Sequence, residues 1–328
     1  MNEHKIPYTS PDVCRDTFLL MLPLLAMDVY LYGMRPALLC LVAIITAGIC
    51  DWLVSLLRRR PFERGELSSE AFALLVAMLM PASVDYYVLI VAVLAAVLIG
   101  KEAFGGYGHY PFHPAAVGYV VAAVGWPEQV FVYPAAGTQL PLGSCASVAL
   151  SEGSSAVLKN GGLPSISNID LWLGNYAGPM GVTFNLVILA CLLYLIARRR
   201  TDLIAPACFL LACAAVAFVA PRLGDIPLSW PWQYVGQRLT VLKYEMLSGA
   251  VLFAAVFLVP EPVTLPRHPL SRAIYGLLLG FASMMFRYYG TYETGVCFAL
   301  LAINSVSGWL DRAVTDLMER KGVRRHEA

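Results

Sequence analysis

Two acidic residues stand inside long apolar runs, where ionisable side chains are rare. Asp28 follows the run TFLLMLPLLAM, and Asp51 follows LCLVAIITAGIC. A carboxylate inside a bilayer is costly, and it usually lines an ion path or pairs with a cation. We therefore predict that both residues belong to an ion path. For Asp51 the alternative is an ion pair with Arg58, which lies two helical turns further along the chain.

The histidines and cysteines give no comparable signal for a metal site. His109 and His113 are four residues apart, a spacing that suits two ligands on one helical face. Pro111 and Pro114 argue against a regular helix there. The eight cysteines are scattered without a Cys-x-x-Cys pair, so the sequence predicts neither an iron–sulfur site nor a disulfide framework.

The acidic residues must be held by helices that cross a membrane. Of 328 residues, 59% are hydrophobic and 14% are charged, whereas an average soluble domain has about 25% charged residues. The net charge of +1 gives no reason to expect a nucleic-acid partner. Apolar runs of bilayer length predict an all-α integral membrane protein with about ten spans. Their approximate bounds are 16–33, 36–57, 68–84, 86–101, 113–131, 180–197, 203–220, 242–260, 270–287 and 292–310.

The orientation of the spans follows from the positive charges, because Lys and Arg are retained on the cytoplasmic side. With ten spans and a cytoplasmic N-terminus, most of the 23 Lys and Arg residues fall on that side. Both termini are then cytoplasmic, in the inner or plasma membrane of the cell. The predicted divisions are a first five-helix repeat (1–131), an external loop (132–179), a second five-helix repeat (180–311) and a cytoplasmic tail (312–328).

An internal repeat relates the two halves. ELSSEAFALLVAMLMP (66–81) aligns without gaps on EMLSGAVLFAAVFLVP (245–260), and the pattern FxxYGxY occurs at 104–110 and again at 286–292. The offset is five spans, so the two halves would cross the membrane in opposite directions. Inverted repeats of this kind place a binding site or path at the repeat interface.

Two features of the repeat have open interpretations. Gly105, Gly106 and Gly108 crowd the entry to the fifth span, where irregular backbone either lines a wet cavity or forms an ordinary cytoplasmic loop. Glu66 and Glu245 occupy matching positions. They are mouth residues of one path or, as we expect, carboxylates favoured at helix starts by the helix dipole.

Several motifs together resemble the RnfD/NqrB family. KEAFGGYGHYPFHPAAVGY (101–119) resembles the family signature GGxGxNxFNPAxxG, and GNYAGPMGVT (174–183) resembles GNxxGxxGET. VPEPVTLP (259–266) is similar to TDPVTSP, and YETGVCFALLAIN (292–304) is similar to YPEGVxFAxLLxN. The opening TSPDVCRDTFLLMLPLLA resembles the first helix of the family, so the resemblance runs from residue 9 to about 311 in the same order.

The resemblance implies a fold, a function and cofactors. RnfD-like proteins have urea-transporter-like inverted repeats and are membrane subunits of complexes that couple electron transfer between ferredoxin and NAD to Na⁺ or H⁺ translocation. Their partners are other membrane and peripheral subunits. The family also implies FMN, esterified through its phosphate to a Thr of an external motif, and riboflavin as a second flavin. Matching positions assign Glu261 and Glu293 to the ion path.

The flavin motif is altered in this chain. Its only candidate is the stretch 151–158, where Val157 occupies the position of the esterified Thr. A valine has no hydroxyl, so a phosphoester cannot form there. Ser154 and Ser155, which precede Ala156, are the alternative acceptors, and a non-covalent flavin is a further alternative. The glycines at 105, 106 and 108 complete the set of predicted cofactor-binding residues.

Other polar positions of the family motifs also differ. The two Asn of the GGxGxNxFNPA signature are Tyr110 and His113, the Glu of GET is Val182, and the Asp of TDPVT is Glu261. We predict a membrane subunit of an Rnf-like complex that is not catalytic alone. The alternatives are a flavin-free channel or transporter, or a structural subunit, on the same fold. Bound flavin would distinguish them.

Overall fold

The computed structural model describes residues 10–59, 67–145, 147–222, 232–290 and 294–326. These residues are mostly helical, with one short two-stranded sheet in the described part. Apolar runs favour helices because a helix satisfies its backbone hydrogen bonds within one segment. The first half contains α1 (Ser10–Tyr32), α2 (Arg35–Arg58), α3 (Ser68–Met78), α4 (Tyr86–Leu94), α5 (Pro114–Gly125) and α6 (Pro127–Val130). A π-helix (Ala95–Lys101) and a 3-10 turn (Glu102–Phe104) continue α4.

The stretch predicted as an external loop has secondary structure of its own. It contains β1 (Val132–Pro134), β2 (Leu150–Glu152), α7 (Ser154–Lys159) and α8 (Asn168–Leu173). The two strands are antiparallel, and Val132 is opposite Glu152. Ser167 caps α8, because its hydroxyl accepts a hydrogen bond from the backbone N–H of Asp170.

The second half contains six more helices. They are α9 (Asn185–Ala197), α10 (Ile204–Val219), α11 (Val235–Leu247), α12 (Val251–Phe257), α13 (Pro269–Tyr289) and α14 (Gly295–His326). Helix α14 has 32 residues and continues without a break through the stretch predicted as a cytoplasmic tail.

Helix length supports a membrane protein, although the count of ten spans stays a prediction. Among the described residues, α2, α4 with its continuation to Phe104, and α13 are long and apolar enough to cross a membrane. Helices α11 and α12 make a fourth candidate if this pair, bent by 48°, counts as one span. Four shorter helices, α3, α5, α9 and α10, are also apolar. Each of the ten predicted stretches contains all or part of a helix.

Helices α3 and α12 lie at the centre of the protein. Every residue of α3 except Glu70 is buried, and so is every residue of α12. A helix that is apolar on all sides is expected in such a place. Both helices end three residues before a proline, Pro81 or Pro260, because the residue before a proline is disfavoured in helical conformation. Their last residues, Met78 and Phe257, occupy the same position in the aligned repeat.

The two halves also share a pattern of helix packing. In the first half α3 contacts α1 and α2, α2 contacts α4, and α4 contacts α5. In the second half α12 contacts α9 and α10, α10 contacts α13, and α13 contacts α14. The first and last helices of each half meet their counterparts, since α1 contacts α9 and α5 contacts α14. Five helices of the second half, α9, α10, α12, α13 and α14, thus make contacts that resemble those of α1–α5.

Candidate functional site

Asp28 lies where the two halves meet. Its side chain is completely buried in α1, and its Oδ2 accepts a hydrogen bond of 3.0 Å from the backbone N–H of Gly181. The neighbouring Met180 donates its own N–H to the carbonyl oxygen of Met80, at 2.9 Å. One carboxylate thus joins α1 to the segment before α9, next to the non-helical segment that follows α3.

The surroundings of Asp28 are short of hydrogen-bond donors. Its Oδ1 has no hydrogen-bond partner within the described ranges, and neither do the buried hydroxyls of Tyr32 and Thr183. Tyr32 is one helical turn beyond Asp28 on α1, and Thr183 is two residues beyond Gly181, whose N–H binds Asp28. No cation in the described chain is within ion-pair distance of Asp28. A buried carboxylate in this state is stable only when it is protonated or binds a cation.

Asp51 is part of a polar network near the C-terminal end of α2. Its Oδ1 accepts a hydrogen bond of 2.8 Å from the hydroxyl of Ser69, which in turn accepts one of 2.8 Å from the Nζ of Lys101. Lys101 is buried, and its Nζ is 3.7 Å from the carboxylate of Asp51. The partner expected from the sequence, Arg58, pairs with Glu102 at 3.3 Å. An ion pair was the right kind of contact for Asp51, but the predicted partner was wrong.

Glu261 contacts the glycine-rich motif of the other half. The hydroxyl of Tyr110 donates a hydrogen bond of 2.6 Å to Oε1 of Glu261, and both side chains are buried. Both residues lie in loops, Tyr110 before α5 and Glu261 after α12. Burial raises the pKa of Glu261 to about 7, although the hydrogen bonds from Tyr110 and from the backbone of Val263 act in the opposite direction. Burial and the charge of Glu261 both raise the pKa of Tyr110.

The two histidines lie in different environments. His113 precedes α5 and is fully buried, and neither ring nitrogen has a hydrogen-bond partner among the residues that the structure describes. Its ring meets Phe72 edge to face, with 5.6 Å between the ring centres. Phe72 also meets Tyr110, at 5.7 Å. His109 is exposed and has its Nδ1 3.2 Å from the carbonyl oxygen of Tyr107.

The three glycines of the motif form a turn at the surface. Gly105, Gly106 and Gly108 have φ values of 116°, 95° and 84°, a left-handed region that glycine adopts readily. Gly105 and Gly108 are exposed. This position agrees with a loop between the π-helix and α5. The buried contacts of this region come from Tyr110 and His113, further along the same loop.

The altered flavin motif lies beside an open cavity. Ser154 and Ser155 are buried at the start of α7, whereas Ala156 and Val157 are half-buried. The cavity has a volume of about 350 Å³, and Val157 and Ser154 form part of its wall. The structure therefore places the Thr-equivalent residue at a site with space for a ligand.

The wall of this cavity does not suit a phosphate ester. Val157 has no hydroxyl, and the wall carries the carboxylates of Glu152 and Asp170 but, among the residues that the structure describes, no Lys or Arg. Hydrogen bonds from Ser167 and Asn175 lower the pKa of Asp170, so this carboxylate is charged at neutral pH. A phosphate normally binds to cationic or N–H donors, and carboxylates repel it. The residues present do not fit an esterified FMN at Val157.

Glu245 is placed differently from the sequence-based expectation. It lies in the last turn of α11 and is buried, where its Oε2 is 3.0 Å from the Nε of Arg287. The expectation of a helix-start carboxylate was wrong, because the helix bends at 248–250, after this residue. Glu66 and the predicted ion-path residue Glu293 lie outside the described residues.

Arg35 is a buried cation whose contacts the sequence did not indicate. Its guanidinium is buried and donates to the carbonyl oxygens of Ala82 and Val84 at 2.9 Å and of Pro141 at 3.0 Å. It also lies over the ring of Tyr86, 5.0 Å from the ring centre. Arg35 therefore ties the break after α3 to the predicted external segment. The sequence shows only a cation between two apolar runs.

Known proteins resemble this chain over nearly its whole length. The family model described as "NQR2, RnfD, RnfE family" matches residues 7–318. The chain is 27% identical over 319 residues to the D subunit of the ion-translocating oxidoreductase complex of Mannheimia succiniciproducens, with 87% of each chain covered. It is 28% identical over 317 residues to the protein of the same name from Actinobacillus succinogenes, covering 87% of this chain and 86% of the relative. The namesake from Haemophilus influenzae (strain PittGG) is 28% identical over 328 residues, with 87% of each covered.

Proposed function

Because this chain belongs to the NQR2, RnfD, RnfE family, we propose that it is the D-type membrane subunit of an ion-translocating oxidoreductase complex. The observation that carries this proposal is the match from residue 7 to residue 318, which includes both halves and the segment between them. The subunit works with other membrane and peripheral subunits, and it couples electron transfer between ferredoxin and NAD to ion movement. It supplies the ion path and is not catalytic alone.

The fold proposed for this function has ten spans in two inverted five-helix repeats. The chain lies in the inner or plasma membrane, and both of its termini are cytoplasmic. The shared packing pattern of α1–α5 and α9–α14 supports the repeat, and so do the matching ends of α3 and α12. Inverted repeats carry their ion sites where helices are broken near the repeat interface. Asp28 and Glu261 are buried acids beside two such breaks.

The experiment that tests this function uses the complex purified through a tag on this chain. Vesicles that contain this complex receive reduced ferredoxin and NAD, and NADH formation and ion uptake are recorded together. Asp28→Asn keeps an acceptor for the N–H of Gly181 but removes the charge, so uptake should be lost while the complex still assembles. Asp316→Asn makes the same change at an exposed position of α14 and should leave uptake unchanged. Normal uptake in the Asp28→Asn complex would contradict an ion path through this residue.

The cofactor proposal is that this chain carries no esterified FMN, because Val157 replaces the acceptor Thr. Flavin fluorescence after denaturing electrophoresis and the intact mass of the chain measure the adduct directly. The unaltered chain should have none, and Val157→Thr, expressed with a flavin transferase, should acquire one if the rest of the motif is recognised. An adduct on the unaltered chain that disappears in the Ser154→Ala or the Ser155→Ala variant would identify a serine ester and refute the proposal.

The acidic cavity and Val157 favour a second candidate, a flavin-free subunit. In that case the chain is a channel, a transporter or a scaffold, and its redox role belongs to neighbouring subunits. The chain reconstituted alone in liposomes distinguishes these functions. A transporter moves solute without electron donors, whereas the D-type subunit proposed above moves ions only within the complex and during electron transfer.

A further inference from the structure

We propose that Tyr110 and Glu261 form a proton-binding site between the two halves of the chain, and that a proton is the ion this subunit passes. This inference rests on the proposed function and names its ion. In the uptake step a proton from cytoplasmic water is added to the carboxylate of Glu261, which becomes a neutral acid. The hydroxyl proton of Tyr110 stays on its oxygen, and release reverses the step, so no electrons are transferred at this site.

The geometry of the pair is that of a strong hydrogen bond. The hydroxyl oxygen of Tyr110 and Oε1 of Glu261 are 2.6 Å apart, within the short range found when the acceptor is a carboxylate. Tyr110 is 2% exposed and Glu261 is 7% exposed. The pair also joins two segments 151 residues apart in the sequence, so the hydrogen bond depends on the relative position of the two halves.

The surroundings of Glu261 contain no countercharge within the described parts of the chain. The titratable groups that face the pair are Tyr107, on the same loop as Tyr110, and Cys14, on α1. No Lys, Arg or His in the described chain lies within ion-pair distance of Glu261. A buried carboxylate without a cation gains most by binding a proton. Its pKa of about 7 agrees with a group that both binds and releases a proton near neutral pH.

The same surroundings are poor for an alkali cation. Such an ion exchanges its hydration shell for a ring of oxygen atoms. Here the ring of Tyr110 is flanked by two other aromatic rings, Phe72 at 5.7 Å and Tyr107 at 5.9 Å, both edge to face. Oε1 of Glu261 is already engaged by the hydroxyl. The two rings beside Tyr110 therefore occupy space where a sodium ion would need oxygen ligands.

His113 is a further buried polar side chain in this region. It is buried three residues after Tyr110, and Phe72 contacts both of their rings. Neither of its nitrogens has a hydrogen-bond partner within the described ranges. The matching positions of the family signature are asparagines, whose amides do not titrate. In this chain Phe72 contacts the rings of Tyr110 and His113, and Tyr110 binds Glu261 from the other half.

The experiment measures proton and sodium uptake by vesicles that contain the whole complex, as a function of pH and with or without added Na⁺. Proton uptake that does not require Na⁺ is expected. Tyr110→Phe removes a hydrogen bond that favours the charged carboxylate, so the midpoint of the pH profile should move to higher pH. Glu261→Gln should abolish uptake. The control is Tyr275→Phe, which removes another buried tyrosine hydroxyl, bonded to Oδ1 of Asn304 at 2.5 Å, and should leave the midpoint unchanged.

The outcomes separate this inference from the proposed function. Sodium uptake driven by electron transfer would overturn the proton site while the proposed function stands. A wild-type complex that moves no ion during electron transfer would overturn both. Infrared spectroscopy of the purified complex gives a readout independent of transport: a protonated carboxyl band that disappears near neutral pH should be present in the wild type and absent from Glu261→Gln. The same band in both proteins would refute the assignment.

Discussion

The stability of this chain should fall as the pH rises from about 4.5 to about 7, and Glu261→Gln should remove that fall. Below pH 4.5 the carboxyl group is protonated in both the folded and the unfolded chain, so it imposes no electrostatic penalty. Between the two values the unfolded chain releases the proton and the folded chain retains it. Above about 7 the folded chain holds a buried charge, and the full penalty applies.

The size of the effect follows from the two pKa values. The difference between 4.5 and about 7 corresponds to about 3 kcal/mol of unfolding free energy, at about 1.4 kcal/mol for each pH unit. Glu261 is buried, with 7% of its surface exposed, so solvent screening reduces this figure little. For a chain of this size the melting temperature should fall by roughly 5 °C or more.

The assay is thermal unfolding of the purified chain in detergent, followed by circular dichroism at about pH 5 and about pH 8. Glutamine keeps an acceptor for the hydroxyl of Tyr110 and cannot ionise, so its melting temperature should depend less on pH. Glu152→Gln makes the same change at an exposed position and should retain the wild-type pH dependence. Parallel pH profiles for the wild type and Glu261→Gln would refute the reasoning.

Three further predictions concern packing and buried charges. Gly118→Ala should destabilise the chain by about 1–3 kcal/mol, since its Cβ would overlap the backbone oxygen of Ala92 in α4; Gly48→Ala, whose Cβ meets nothing within 4 Å, should stabilise it by up to about 1 kcal/mol in the same melting assay. Arg35→Lys should cost about 3 kcal/mol, because one ammonium group cannot replace the bonds of a guanidinium to several carbonyls, and faster proteolysis of the predicted external segment should accompany it. A double-mutant cycle of Asp51→Asn and Lys101→Met should give a coupling of about 1–3 kcal/mol from unfolding midpoints, and additive effects would contradict a direct pair.

Local patterns were enough to predict the main helices. The predicted stretches 68–84 and 242–260 extend past the observed ends of α3 at Met78 and of α12 at Phe257. Both helices end three residues before a proline, a local signal that the prediction did not use. The bend between α11 and α12 was not predicted, since the run 242–260 contains no proline before its end. The left-handed Gly249 in this bend was the local signal that could have revealed it.

The candidate site could be predicted only as a set of residue types. Asp28 was selected as an acid inside an apolar run, and Glu261 was selected by its match to a family motif. Both are buried, and their role in an ion path stays a prediction. Their contacts depend on tertiary structure: the residue bonded to Asp28 is 153 positions away, and the residue bonded to Glu261 is 151 positions away. The partner of Asp51 was missed for the same reason. Lys101 contacts Asp51 from the end of a π-helix, and no sequence pattern predicted the wider turn of this helix.

In the topology proposed above, helix α14 crosses the membrane and determines how far the protein reaches into the cytoplasm. Its 32 residues make a rod about 48 Å long, at about 1.5 Å for each residue. The hydrocarbon layer is about 30 Å thick, so a helix perpendicular to it would project about 18 Å beyond its edge. Residues 312–326 then act as a stiff spacer. A partner bound near the end of this helix would rotate together with its membrane-spanning part. An inserted flexible linker would break that mechanical connection and leave every residue within the membrane unchanged.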